Sequence, residues 1–227
     1  MARNAEWHDD YWLLLMQLYL KKPVGPKPLY HRDMVDLSIE LHISPQVLQA
    51  RMQQLRRLET PRMEHIWQTY CNNPKRLARA VRLLRQMNGF GAATEFYEGV
   101  EVQETFEKDF RPITESANSQ NADPGATSAV LTPAHLIMVL NLYFQLTPAT
   151  MVAETPEVQQ LARLLKLKTA DVVDILDVFQ HCDPYLNRQD VTFSPLLLPC
   201  EQVWQRFGNE EPNVLDAFAS QLQEYFK

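Results

Sequence analysis

Positions 44 to 58, SPQVLQARMQQLRRL, place Gln46, Gln49, Gln53 and Arg57 at spacings of three and four. In a helix turning about 100° per residue they fall on the arc opposite Leu48, Met52 and Leu55. An amide offers a donor beside an acceptor and a guanidinium offers a fork of donors, the groups that pair with adenine and guanine edges in a major groove. A second series follows at Lys75, Arg79 and Arg82, flanked by Arg76 and Arg85. Cations at i, i+4 and i+7 suit phosphate oxygens, a contact independent of base sequence and sensitive to salt. The expected site is therefore a contact with double-stranded DNA made by Gln46, Gln49, Gln53, Arg57, Lys75, Arg76, Arg79 and Arg82. The competing reading is a solvated helix face.

No residue set reaches the threshold for catalysis or metal binding, and the expectation is a protein that is not an enzyme and needs no cofactor. His8-Asp9-Asp10 and His181-Cys182-Asp183 have ligand-type side chains, but adjacent positions on a helix point in different directions. Asp183, Asn187 and Asp190 hint at a calcium loop, yet Arg188 stands where the tight-turn glycine belongs and no bidentate Glu follows. Asn88 to Gly91 lacks the residues of a phosphate-binding loop. Glu98 and Glu101 sit in a run of acids, where solvated carboxylates outweigh a catalytic pair.

The 227 residues suffice for two small domains, and 45% hydrophobic with 22% charged residues is the balance of an ordinary globular protein. Three cysteines, Cys71, Cys182 and Cys200, without metal-ligand spacing read as reduced thiols. The start, MARNAEWHDDYW, lacks the layout of a signal peptide, and the apolar run Trp12 to Met16 is too short to span a bilayer, so a cytoplasmic location with no membrane contact is expected. The formal charge of −6 conceals an asymmetry: positions 11–87 hold 13 Lys and Arg against 5 Asp and Glu, a balance of +8, whereas positions 135–226 hold 5 against 12, or −7. Charge of this kind bears on partners rather than on fold.

The elements that must carry these residues are helices. Apolar periodicity and Pro-led starts predict them over about His8 to Leu20, Arg32 to His42, Pro45 to Leu58, from Thr60-Pro61, and from Asn73-Pro74 to about Met87. The stretch Asp33 to Leu58 returns 124 positions later as Glu157 to Cys182, and Trp12 to Tyr19 (WLLLMQLY) returns as Leu136 to Tyr143 (LIMVLNLY) at the same offset. After about 13 inserted residues, Ile66-Trp67-Gln68 matches Val203-Trp204-Gln205, and Pro74, Leu77 and Leu84 match Pro212, Leu215 and Leu222. Such matching predicts an internal duplication. The expected architecture is all-α: a basic helical repeat over 1–90 with a central pair at 32–58, and an acidic repeat over 131–227 with its pair at 156–182. The connector at 91–130 has an acidic-aromatic part, with a short strand over Phe96 to Val102 and a helical turn or two over Gln103 to Phe110, and then a polar flexible linker over Glu115 to Ala129.

The central pair, an apolar-patterned helix, a tight turn through His42-Ile43-Ser44-Pro45 and a helix with polar groups outward, resembles the helix-turn-helix of bacterial transcription regulators and sigma factors. The resemblance implies a non-enzymatic DNA-binding or regulatory role for the first repeat. At the offset of 124 the second copy holds Ala170, Val173, Asp174, Asp177 and His181 in place of Gln46, Gln49, Ala50, Gln53 and Arg57, which suits a protein partner or homodimer instead. The alternative for the whole chain is an adaptor or scaffold whose oppositely charged repeats dock on each other or on other proteins.

Overall fold

The structure, a computed structural model, describes residues 7–87, 90, 105–113, 130–186 and 194–227. It divides into two compact units, 1–104 and 105–227. Every regular element among the described residues is helical, and no helix among them is long and apolar enough to cross a membrane.

Unit 1 is built on α1 (Tyr11–Leu20). Trp12, Leu14, Leu15, Met16 and Leu18 bury more than one side of it, so it has to be surrounded. It packs against α3 (Pro45–Arg57), α4 (Pro61–Tyr70) and α5 (Pro74–Arg85), while α2 (Arg32–Leu41) lies against α3. Proline opens α3, α4 and α5, where its missing N–H costs nothing. Thr60 caps α4 by accepting from the Met63 N–H at 3.3 Å. The first helix begins at Tyr11 rather than His8, because Asp9 and Asp10 form a turn before it and both reach Arg62, at 3.2 and 3.4 Å. That corrects the expectation that these neighbouring carboxylates diverge; off the helix they converge, on a guanidinium. Two further ion pairs tie α2 to its neighbours: Lys21 to Asp33 at 2.7 Å and Arg85 to Glu40 through two bonds of 2.6 and 2.8 Å.

Unit 2 opens with the short α6 (Thr105–Phe110). Its central helix is α7 (Pro133–Tyr143), which α6, α8 (Pro156–Leu165), α9 (Thr169–Cys182), α10 (Leu197–Phe207) and α11 (Pro212–Phe226) all contact. A single 3-10 turn, Pro148–Thr150, precedes α8. Tyr143 meets Trp204 edge to face at 5.7 Å, as Tyr19 meets Trp67 at 5.6 Å in unit 1. Gly208 is required by a close approach, since a Cβ there would lie 2.7 Å from the Trp204 indole.

The stop of α2 in unit 1 is like the stop of α8 in unit 2. His42 ends α2 with φ 54° and Lys166 ends α8 with φ 58°, both left-handed. The next N–H turns back in each case, Ile43 to the Ser38 carbonyl at 3.1 Å and Leu167 to the Ala162 carbonyl at 2.9 Å, closing a Schellman-type turn. Leu58, at φ 52°, ends α3 the same way, so the helix stops at Arg57, one residue short of the expected Leu58. Buried positions also recur at fixed offsets. Leu48, Met52 and Leu55 in α3 correspond to Val172, Leu176 and Phe179 in α9, and Leu77, Val81 and Leu84 in α5 to Leu215, Ala219 and Leu222 in α11.

Cys71 and Cys182 are half-buried, and Cys200 is buried. Burial, with Glu201 adding to it, pushes the Cys182 thiol up to about 11, and burial pushes Cys200 higher still. The expected strand over Phe96 to Val102, the acids Glu95 to Glu104, the linker from Glu115 to Ala129, and Asn187 and Asp190 lie outside the described residues. The helical turn expected before Phe110 is α6.

Candidate nucleic-acid interface

Two helices of unit 1 carry the expected site. In α3 the side chains of Leu48, Met52 and Leu55 are fully buried, which turns the opposite arc outward. Gln46, Ala50 and Arg57 are exposed there, while Gln49 and Gln53 are half-buried. No protein group among the described residues hydrogen-bonds the side chains of Gln46, Gln49 or Gln53. Arg57 leans on Glu59 at 3.4 Å, an exposed pair of small energetic weight that a stronger anion can displace.

In α5 the buried Leu77, Val81 and Leu84 fix the inward stripe, and Lys75, Arg76, Arg79, Arg82 and Arg85 are all exposed. Their partners differ. Arg85 is held by Glu40, and that bond holds its guanidinium above the ordinary value. Arg76 lies over the Tyr70 ring at 5.5 Å, a cation–π contact that leaves its donors outward. Lys75, Arg79 and Arg82 have no carboxylate partner among the described residues. From Lys75 to Arg82 the helix rises about 10 Å, roughly three base-pair steps of a duplex. No hydrogen bond or ion pair among the described residues joins the α3 set to the α5 set; each is positioned by its own helix.

Several functional-looking side chains escaped the sequence reading. Arg51 is occupied, lying 5.1 Å over Trp7 and 6.0 Å over Trp12 with its guanidinium on Gln54 at 3.1 Å. Arg62, His65 and Arg76 border a hollow of about 390 Å³ between α1 and α4, whose lining also holds Asp9 and Asp10, the carboxylates that pair with Arg62. Only the aromatic run near the start of the chain signalled the first contact, and no local pattern signals the second, because its members come from separate helices. Among the described residues no group of three or more His, Cys, Asp or Glu is placed to hold a metal ion.

Comparison with known protein families, with curated proteins and with solved structures finds no match to this chain. Its function has to be argued from its own residues.

Proposed function

We propose that the chain is a non-enzymatic DNA-binding regulatory protein in which unit 1 contacts the duplex. Lys75, Arg76, Arg79 and Arg82 hold phosphates, and Gln46, Gln49, Gln53 and Arg57 face base edges from α3. The observation that carries this reading is the stripe of unanswered cations on the solvent side of α5. Unpaired like charges three and four residues apart repel one another, so a helix that keeps them is best explained by an anion that binds there. The two units are, on this reading, diverged copies of one five-helix bundle, each centred on a helix-turn-helix-like pair. The matching stops of α2 and α8, the recurring buried positions and the Tyr–Trp contacts support it. The counterparts of the stripe in unit 2 are Asn213, Val214, Ala217, Ser220 and Gln223, so duplex binding belongs to unit 1, and unit 2 serves a protein partner or a second copy.

The test is fluorescence anisotropy of a labelled mixed-sequence duplex titrated with the whole chain at several salt concentrations. Contacts to three or four phosphates give a slope of about −3 in log K against log salt. Arg79→Glu with Arg82→Glu removes binding at every sequence. Absence of native binding at low salt rejects the proposal. A second reading has one observation in its favour: Leu83 and Met87 stand 52% and 59% exposed beside the stripe. Apolar groups there suit an acidic protein partner better than a phosphate backbone. Under this adaptor reading the same double substitution changes the oligomeric state in light scattering, with no duplex binding to lose.

A further inference from the structure

The short helix α6 and the helix α10 border a half-open cavity in unit 2 that the proposed DNA contact does not use. Two acids of α6, Glu107 and Asp109, are buried, and each is answered by an arginine. Arg111 meets Glu107 at 2.9 Å, and Arg206 meets Asp109 at 2.7 Å. Lys108, exposed between them, has no carboxylate partner among the described residues. Three cations against two carboxylates leave this corner at +1, although the span 135–226 around it carries −7.

Beside these charges lies a space of about 360 Å³ whose walls are Pro112, Ile113, Pro133, Pro199 and Val203. That volume is at the lower end of small-molecule sites. Proline has no N–H, and the Ile113 N–H is already given to the Leu131 carbonyl at 2.8 Å. The wall therefore offers an apolar face with few backbone donors. What polar recognition the cavity has comes from the side chains at its rim, Lys108, Arg111 and Arg206, with the exposed Gln202 at the mouth; the one carboxylate on its lining, Asp109, is held by Arg206 at 2.7 Å. The prolines and the 113–131 hydrogen bond also fix the shape beforehand, which lowers the ordering cost of binding.

We propose that this cavity binds a small organic anion with an apolar body, a carboxylate or sulfonate whose charge sits at Lys108 and whose hydrocarbon lies on the proline wall. The occupant is distinct in class from a duplex, and the cavity stands or falls independently of the α5 stripe. Anilinonaphthalene sulfonate has this chemistry and reports its own burial by fluorescence. Titrated into the full chain, it binds saturably at one site with a Kd on the order of 10 µM. Decanoate displaces it, and decyltrimethylammonium, with the same tail and the opposite charge, does not. Lys108→Glu weakens binding about ten-fold or more, and Gln202→Trp, which fills the mouth from an exposed position, abolishes it. Arg163→Glu, the same charge change on the exposed face of α8, leaves the Kd unaltered. The proposal is overturned by unsaturable binding, by equal displacement with the cationic detergent, or by native affinity in both Lys108→Glu and Gln202→Trp.

Discussion

His135 shows how much a single buried side chain can make this fold depend on pH. It sits at the third position of α7, where its Nδ1 accepts from the Thr132 N–H at 3.2 Å, and its ring lies 4.8 Å from Phe226. Burial pushes it down to about 4, against an opposing backbone bond at Thr132. In the unfolded chain the imidazole titrates near 6.5, so between those values the unfolded state binds more protons. The stability this group contributes is complete above about pH 6.5, falls as pH drops toward 4, and amounts to roughly 3 kcal/mol. Urea midpoints at pH 7 and pH 4.5 should separate further in the native chain than in His135→Gln, which keeps an acceptor for Thr132 and cannot be protonated. At this scale the candidate site was partly legible. Residue type and helical spacing place Gln46 and the α5 cations outward, as the structure does. They cannot tell that Arg85 is taken by Glu40, 45 positions away, or that Arg51 is spent on two indoles. Those partners depend on tertiary packing, which leaves no trace at helical spacing.

Helix beginnings were more legible than helix ends. Proline at the first position marks the start of α2's neighbours α3, α4 and α5 and of α7, α8 and α11, because it both fits the first turn and is excluded from later ones. The ends are written differently. The chain has only 6 glycines, and α2, α3 and α8 stop on His42, Leu58 and Lys166 in left-handed conformation. A stop made by non-glycine residues carries no residue signature, so the expected boundaries ran one residue long. It also carries strain, about 1 kcal/mol for a side chain held at positive φ. Lys166 is exposed at φ 58°, so nothing is lost in packing if its side chain is removed. Lys166→Gly should raise stability by about 0.5–1 kcal/mol, read as an increase in urea midpoint at constant slope.

For the whole molecule, two units with separate cores imply two cooperative transitions rather than one. Met52 is fully buried in unit 1 and accepts the Lys27 N–H on its sulfur at 3.2 Å. Met52→Ala should destabilise unit 1 by about 3 kcal/mol, and Lys166→Gly should stabilise unit 2 alone. Urea unfolding followed by tryptophan fluorescence, with Trp7, Trp12 and Trp67 reporting on unit 1 and Trp204 on unit 2, should show the two substitutions moving different transitions. Charge asymmetry between the halves was visible in the sequence at once, because counting needs no fold. The α6 cavity was not, since its walls come from three separate stretches, at Pro112-Ile113, Pro133 and Pro199 to Val203.

In unit 1, α3 and α4 are separated by three residues, 58–60, whereas in unit 2 α9 ends at Cys182 and α10 begins only at Leu197. The buried stripes on either side keep their spacing all the same. Closing a longer loop costs entropy only logarithmically, on the order of 1 kcal/mol for this difference. On the proposed reading of the units as diverged copies, such a separation behaves as a seam, where residues are added while the buried stripes on both sides keep their register. Novelty in this architecture has a place to enter that the bundle itself does not feel.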